Sequence, residues 1–171
     1  ADSVSKSHAR QSGKVNLYAL FLIKSIKILK EGGIFGFIIP NNILRTTTYD
    51  VVRKFILDNC RIIKIVDLGA GVFEGVTAST IVLILKKEKD KQKREKNNIL
   101  IFTDINNLKE KIEVEQKSFL ENTSYAFNIT LNKKDRLIFK PQSGTASADL
   151  LGNGIAHNIY SEKFVNLLTS E

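Results

Sequence analysis

The sequence predicts an α/β fold, a sheet with helices packed on its faces. Three apolar runs, IFGFIIP (34–40), RIIKIVDL (61–68) and ASTIVLIL (78–85), are rich in β-branched residues and read as strands. Two stretches carry apolar residues at three- and four-residue steps, the signature of amphipathic helices. Helix, strand, helix, strand, strand therefore follow one another over residues 14–88. Such alternation implies a sheet covered by helices.

Residues 14–31 form the first helical pattern, with Val15, Tyr18, Leu22, Ile26 and Leu29 on one face and Lys24, Lys27 and Glu31 on the other. Gly32-Gly33 stops it, since glycine takes the left-handed conformation that closes a helix. The run Ile34 to Pro40, bounded by glycines and a proline, predicts a strand buried on both faces, as in a parallel sheet. A polar loop at Asn41-Asn42 leads to the second helix. Thr47 with Asp50 resembles a capping pair, and Val52, Phe55 and Ile56 give an apolar stripe that ends near Asn59. After the strands comes Ile99 to Thr103, a further strand, and then a polar helix or loop over 104–117. Phe119, Tyr125, Phe127 and Phe139 are apolar anchors without a period. Pro141-Gln142-Ser143-Gly144 reads as a linker or turn, and Ala148 to Ile159 as the start of a new element.

Composition narrows the partners. A chain of 171 residues with 43% hydrophobic residues suits one domain, or one domain and a piece of another. The net charge of +8 favours polyanions, nucleic acid above all. Within the run Lys86 to Lys96, seven basic residues mix with three acidic ones, a pattern usual for a solvated loop or frayed end. No apolar run is long enough for a membrane span, and the first residues lack the apolar stretch of a signal peptide. The single cysteine, Cys60, fits the core better than a nucleophile. No Cys/His cluster offers a metal site, and a reducing cytoplasm fits best. His8 and His157 are isolated and read as surface residues.

The stretch IVDLGAGVFEGVTASTIVLIL, Ile65 to Leu85, looks at first like the glycine loop that holds a nucleotide cofactor. Such a loop needs a third glycine and an immediate helix. Here Phe73 holds the third position, and the following residues suit a strand. Two strands joined by a loop, Gly69 to Val76, describe the stretch better, with Phe73 at the loop's tip. Two roles stay open for Phe73: a plug for the core beneath the loop, or an aromatic face presented to a ligand.

Three segments taken together carry a resemblance: Gly13-Lys14 with Leu17-Tyr18 and Phe21; Gly32-Gly33 followed by Phe37-Ile38-Ile39-Pro40-Asn41; and Val72-Phe73-Glu74-Gly75-Val76-Thr77. In this order and spacing they resemble the adenine-N6 DNA methyltransferases of type II restriction–modification systems. The type IIG kind is most similar; in it endonuclease, methyltransferase and target-recognition parts share one polypeptide. The resemblance implies the second half of a Rossmann-like S-adenosylmethionine-dependent methyltransferase sheet, ending in an antiparallel strand pair, plus a C-terminal extension. It also implies that Phe21 packs on the adenine ring of S-adenosylmethionine, unless it is simply a core residue of the first helix. Phe73 would stack on the target adenine after the base leaves the duplex, where a flipped base needs an aromatic face.

The Asn-Pro-Pro-Tyr catalytic motif of that family is absent, since both prolines, Pro40 and Pro141, lie elsewhere. No catalytic residue is therefore expected in this chain, and the missing motif and cofactor loop would lie in an upstream half of the same polypeptide or its equivalent. The expected organisation is a polar leader over 1–12, a partial methyltransferase domain over 13–103, a connecting region over 104–139 and the start of a target-recognition domain over 140–171. The expected cofactor is S-adenosylmethionine and the expected partner double-stranded DNA, with no metal and no membrane. A basic nucleic-acid-binding module without catalysis, or a fragment of an RNA or protein methyltransferase, is the alternative.

Overall fold

The computed structural model describes Arg10–Gln11, Lys14–Val15 and residues 17–73, 77–105 and 109–129. The expected linker at 141–144, the new element at 148–159, Phe139, His8 and His157 lie outside the described residues. The first helical pattern divides. Lys14–Val15 (β2) pairs antiparallel with Arg10–Gln11 (β1), and the helix α1 covers Leu17–Ile28. Ala19, Leu22, Ile23 and Ile26 form its buried stripe. Beyond it, Gly32 takes φ +77, and Gly33 lies so close to Leu29 that an added Cβ would sit 2.9 Å from that side chain.

Five strands make the main sheet: Ile34–Pro40 (β3), Cys60–Gly69 (β4), Thr80–Lys87 (β5), Asn98–Phe102 (β6) and Ile112–Glu115 (β7). Their spatial order is β3-β5-β4-β6-β7, and only β4 and β6 are parallel. β3 is therefore not the doubly buried parallel strand expected from its composition. It is the edge strand, paired antiparallel with β5 from Ile34↔Lys86 to Pro40↔Thr80. Seven apolar residues in a row look alike whether a strand lies in the middle of a sheet or awaits a neighbour.

Alternation sorts the side chains. Ile39, Ile62, Ile65, Ile81, Leu83 and Leu85 face the main core, where Leu22, Ile23 and Ile26 of α1 meet Val52 and Ile56 of a second helix, α2 (Asp50–Asn59). Val66, Val82, Ile84 and Phe102 form a smaller cluster on the opposite face. Phe119 and Phe127, two of the anchors without a period, stack at 4.9 Å and close the main core.

Three further expectations change. The Thr47/Asp50 capping pair does not form: Thr47–Tyr49 is a 3-10 turn with no side-chain cap, and α2 begins at Asp50. The segment 104–117 contains a strand, β7, which short length and three glutamates hid. The charged run is not frayed. It holds the short helix α3 (Lys91–Glu95), capped by Asp90, whose carboxylate accepts the Gln92 and Lys93 N–H groups. Arg94 anchors it by donating to the Leu57, Glu88 and Lys89 carbonyls.

The sheet has two ends. Ile34, Cys60, Lys87 and Asn98 lie at one, and Pro40, Gly69, Thr80 and Phe102 at the other. Nine residue steps along β4 separate them by about 30 Å.

Candidate cofactor and target-base site

The loops at the Pro40–Gly69–Thr80 end carry both residues singled out by the sequence. β4 and β5 are antiparallel neighbours, and the chain between them turns at Gly69 (φ +71) and Gly71 (φ +76). Positive φ at both positions is a conformation that glycine adopts without strain. Nothing lies within 4 Å of a Cβ placed at either one, so backbone conformation and not crowding calls for glycine there. Asp67, which in a cofactor loop would be the acidic residue closing the strand, uses its carboxylate locally by accepting the Gly69 N–H at 2.9 Å. No helix starts at Gly71, and Phe73 sits half-buried in the loop. The strand–loop–strand reading therefore holds.

Phe21 belongs to α1 and is 62% exposed. Its place near the same end follows from Tyr18, one turn earlier, whose hydroxyl donates to Asn42 Oδ1 at 2.9 Å in the loop after β3. Burial first, and the neighbouring Tyr49 second, hold the Tyr18 phenol well above its ordinary range, so it stays protonated as a donor. The Tyr18 and Tyr49 rings are 5.5 Å apart. The Asn41 N–H donates to Ser79 O at 3.0 Å, which ties the loop after β3 to the chain entering β5. The core-residue alternative for Phe21 fails, since the buried stripe of α1 runs through Leu22 and Ile26 instead.

Sequence reading missed the residue that holds this end together. Arg53 is fully buried, and its guanidinium donates to Ile43 O (2.7 Å), Thr46 O (2.9 Å), Ser124 O (2.7 Å) and Tyr125 O (3.1 Å). It thereby joins the loop after β3 to the segment around Ser124 and Tyr125, both at φ +54. Burial draws its pKa down to about 10, partly opposed by Asp50, so it remains charged near neutrality. The available signal was its position, because Val52, Arg53, Ile56 and Leu57 form the buried face of α2. Cys60 is buried in the core, and burial pushes its thiol up to about 12. No group of His, Cys, Asp and Glu side chains suited to a metal ion occurs among the described residues. No described helix is long and apolar enough to cross a membrane.

Comparison with known proteins finds likenesses to restriction–modification methyltransferases. The Eco57I restriction-modification methylase family matches residues 2–73. The type II methyltransferase M.BanIII of Aneurinibacillus aneurinilyticus is 40% identical over 76 residues, which is 44% of this chain and 13% of that protein. The type II restriction enzyme and methyltransferase RM.Eco57I of Escherichia coli is 38% identical over 72 residues, 42% of this chain and 7% of that one. The type II methyltransferase M.VspI of Vibrio sp. (strain 343) is 31% identical over 134 residues, 78% of this chain and 30% of that one. The chain thus spans between 7% and 30% of the length of these three relatives. The type IIG restriction endonuclease BpuSI matches in fold with a TM-score of 0.52 and 18% identity, over 70% of this chain and 16% of that one. Residues 2–73, with α1, β3, α2 and β4 leading to Phe73, match the Eco57I restriction-modification methylase family, and the relatives that the chain resembles are type II methyltransferases of restriction–modification systems.

Proposed function

We propose that the full-length protein transfers a methyl group from S-adenosylmethionine to adenine N6 in double-stranded DNA, and that this chain supplies one wall of its site. The observation that carries the reading is the pair of aromatic faces near one end of the sheet, Phe73 on the glycine loop and Phe21 on α1. An uncovered phenyl ring fits the adenine moiety of S-adenosylmethionine, so Phe21 suits the holding of that cofactor. When bound, the cofactor supplies an electrophilic methyl group. Phe73 would take the extruded base, replacing the stacking that the base loses when it leaves the duplex. Tyr18 would position Asn42 and the loop after β3 beneath these two faces.

The remainder of the pocket would come from the upstream part of the same polypeptide. Leu17, Phe21 and Ile28, at 46%, 62% and 69% exposure, share one side of α1 because steps of four and seven residues return to the same side. Among the described residues β3 pairs along one edge only, and an unpaired apolar edge invites a further strand. No catalytic residue is assigned within this chain, and on its own it would be inactive.

Methylation of DNA by the full-length protein, followed by mass analysis of the released nucleosides, tests the reading. N6-methyladenine is the expected product; another methylated base, or methylated RNA or protein, overturns it. Phe73→Ala should lower the rate per folded molecule about five- to 150-fold, the equivalent of a stacking loss of roughly 1–3 kcal/mol. A variant that melts early yet keeps its rate would make Phe73 a core plug. Phe21→Ala should raise KM for the cofactor and leave the apparent affinity for DNA unchanged.

A further inference from the structure

The end of the sheet opposite Phe73 concentrates charge. Lys86 to Lys96 holds seven basic and three acidic residues, a net of four positive charges and half of the chain's +8. The fold gathers them where β5 ends and α3 begins. The three acids of the run serve local structure. Glu88 accepts the Asp90 N–H, Asp90 caps α3, and Glu95 pairs with Lys91 at 3.6 Å. Lys89, Lys93 and Lys96 are exposed, and none has an ion-pair partner among the described residues.

A second feature is the strand register at this end. Arg61 on β4 stands directly opposite Lys86 on β5 in the antiparallel register. Like charges directly across a strand pair are destabilising, so an anion at this position would relieve a strain already built into the sheet. Arg61 donates through Nε to Asn97 Oδ1 at 3.0 Å, which fixes its guanidinium at the rim of an open groove. Arg61, Lys93, Lys96, Gln92, Asn97 and Asn98 line that groove together with one acid, Asp90, whose carboxylate is engaged in capping α3. The groove is open, its lining mixes polar and apolar surface, and its positive charges come from β4 and from α3 with the residue that follows it. These features suit a row of phosphates better than a single small anion.

We propose that this basic end is a second, sequence-independent contact for the phosphate backbone of duplex DNA, about 30 Å from the loop that would read the target base. The proposal rests on the DNA reading given above. Contacts to phosphate position a protein without reporting sequence, so this surface would hold flanking DNA and leave recognition to the other end.

The test uses the full-length protein carrying Lys89→Glu, Lys93→Glu and Lys96→Glu, with the corresponding triple glutamine variant beside it. Binding to a duplex of about 40 base pairs is measured between about 50 and 200 mM salt. Each phosphate contact contributes about 0.9 to the slope of log affinity against log salt, so the glutamate variant should lose about 2–3 from that slope. Its affinity at 100 mM should fall at least tenfold, and the glutamine variant should fall between it and the unsubstituted protein. The second arm measures methylation of a duplex of about 12 base pairs centred on the target, which reaches only about 20 Å to either side. Its rate should stay within twofold. An unchanged slope would show that the lysines only solubilise the protein or meet an acidic protein surface, and would overturn the proposal while methylation continues. Equal losses on the short and long duplexes would place the contact at the target and overturn it as a remote site. If the unsubstituted protein methylates no DNA but the slope still falls, the basic contact stands and the methyl-transfer reading fails.

Discussion

Arg53→Met should loosen the loop end of the sheet about as much as a single core truncation. The substitution keeps an unbranched, apolar side chain of similar reach and removes donors to four buried or half-buried carbonyls, those of Ile43, Thr46, Ser124 and Tyr125. Thr46 O keeps the Tyr49 N–H, and each of the other three carbonyls that loses its donor costs about 1–3 kcal/mol. Against that, the protein no longer holds a guanidinium out of water, which returns several kcal/mol. A net loss of about 3 kcal/mol follows, equivalent to a fall of roughly 10 °C in melting temperature for a domain of this size. The loss should be local. Hydrogen exchange of the full-length protein should show faster exchange at Tyr49, which donates to Thr46 O, and at Phe127, which donates to Leu44 O at 2.8 Å. A loss of 3 kcal/mol corresponds to about 150-fold, whereas amides in the middle of β4 and β5 should change less. Arg53→Lys should recover under half of the loss, because one ammonium cannot reach both the 43–46 loop and the 124–125 segment. Unchanged protection at Tyr49 and Phe127, or a loss below about 1 kcal/mol, would refute Arg53 as the clamp.

Cys60, with its thiol pushed up to about 12 by burial, should resist alkylation at pH 8 in the native protein and react promptly in denaturant, as mass analysis of the labelled peptide would show. Because its folded pKa is raised, its contribution to stability is complete below the unfolded value of about 8.5 and is lost as pH climbs towards 12, so Cys60→Ser should flatten alkaline unfolding in that window. Gln116→Leu should cost about 2–4 kcal/mol, read by exchange at β4, since its side-chain amide accepts from Ile62 N–H and donates to Cys60 O. Gly69→Ala should cost about 1–2 kcal/mol through backbone strain alone, and Gly69→Asn less, with little change at the opposite end of the sheet.

Much of this was legible in the sequence, for identifiable reasons. The strands at 61–68 and 78–85 show as apolar, β-branched runs because they lie between two clusters of the core, and the helices before them show because each covers one side of it, which imposes a period on the residues. The loop at Gly69 was readable as a turn because the third glycine is missing and Phe73 stands in its place. Strand pairing was less accessible. β3 has the composition of a central strand yet pairs along one edge only among the described residues, and apolar residues do not report which edge is paired. β7 was hidden because its pattern, IEVE, buries only Val114, and the ladder to β6 carries the rest. The Gln116 network was hidden for another reason. β4 shifts register between Ile62 and Lys64, which leaves the Ile62 N–H to a glutamine 54 residues away. A bulge of that kind has no local sequence mark. Of the two site residues, Phe21 is exposed and Phe73 follows the glycine turn, the positions that the proposed roles require.

The exposed apolar flank and the basic end make different demands on whatever covers them. Leu17, Ile28 and Ile34 are between 46% and 69% exposed. Complete burial of such side chains is worth about 1.5–3 kcal/mol each, so covering the exposed fractions would yield about 2.5–5 kcal/mol. That gain does not depend on salt, and leaving these side chains in water forgoes it permanently. A flank of this kind needs a constant protein neighbour, as the upstream half of a methyltransferase domain would be. The lysines at the other end lose nothing in water, and their attraction to an anion weakens with every added millimole of salt. They suit a partner that comes and goes. One end of α1 and the edge of β3 would thus be settled during folding, while the basic end would engage only when DNA is present. Salt should separate the two experimentally, dissociating the nucleic acid and leaving the protein contacts intact.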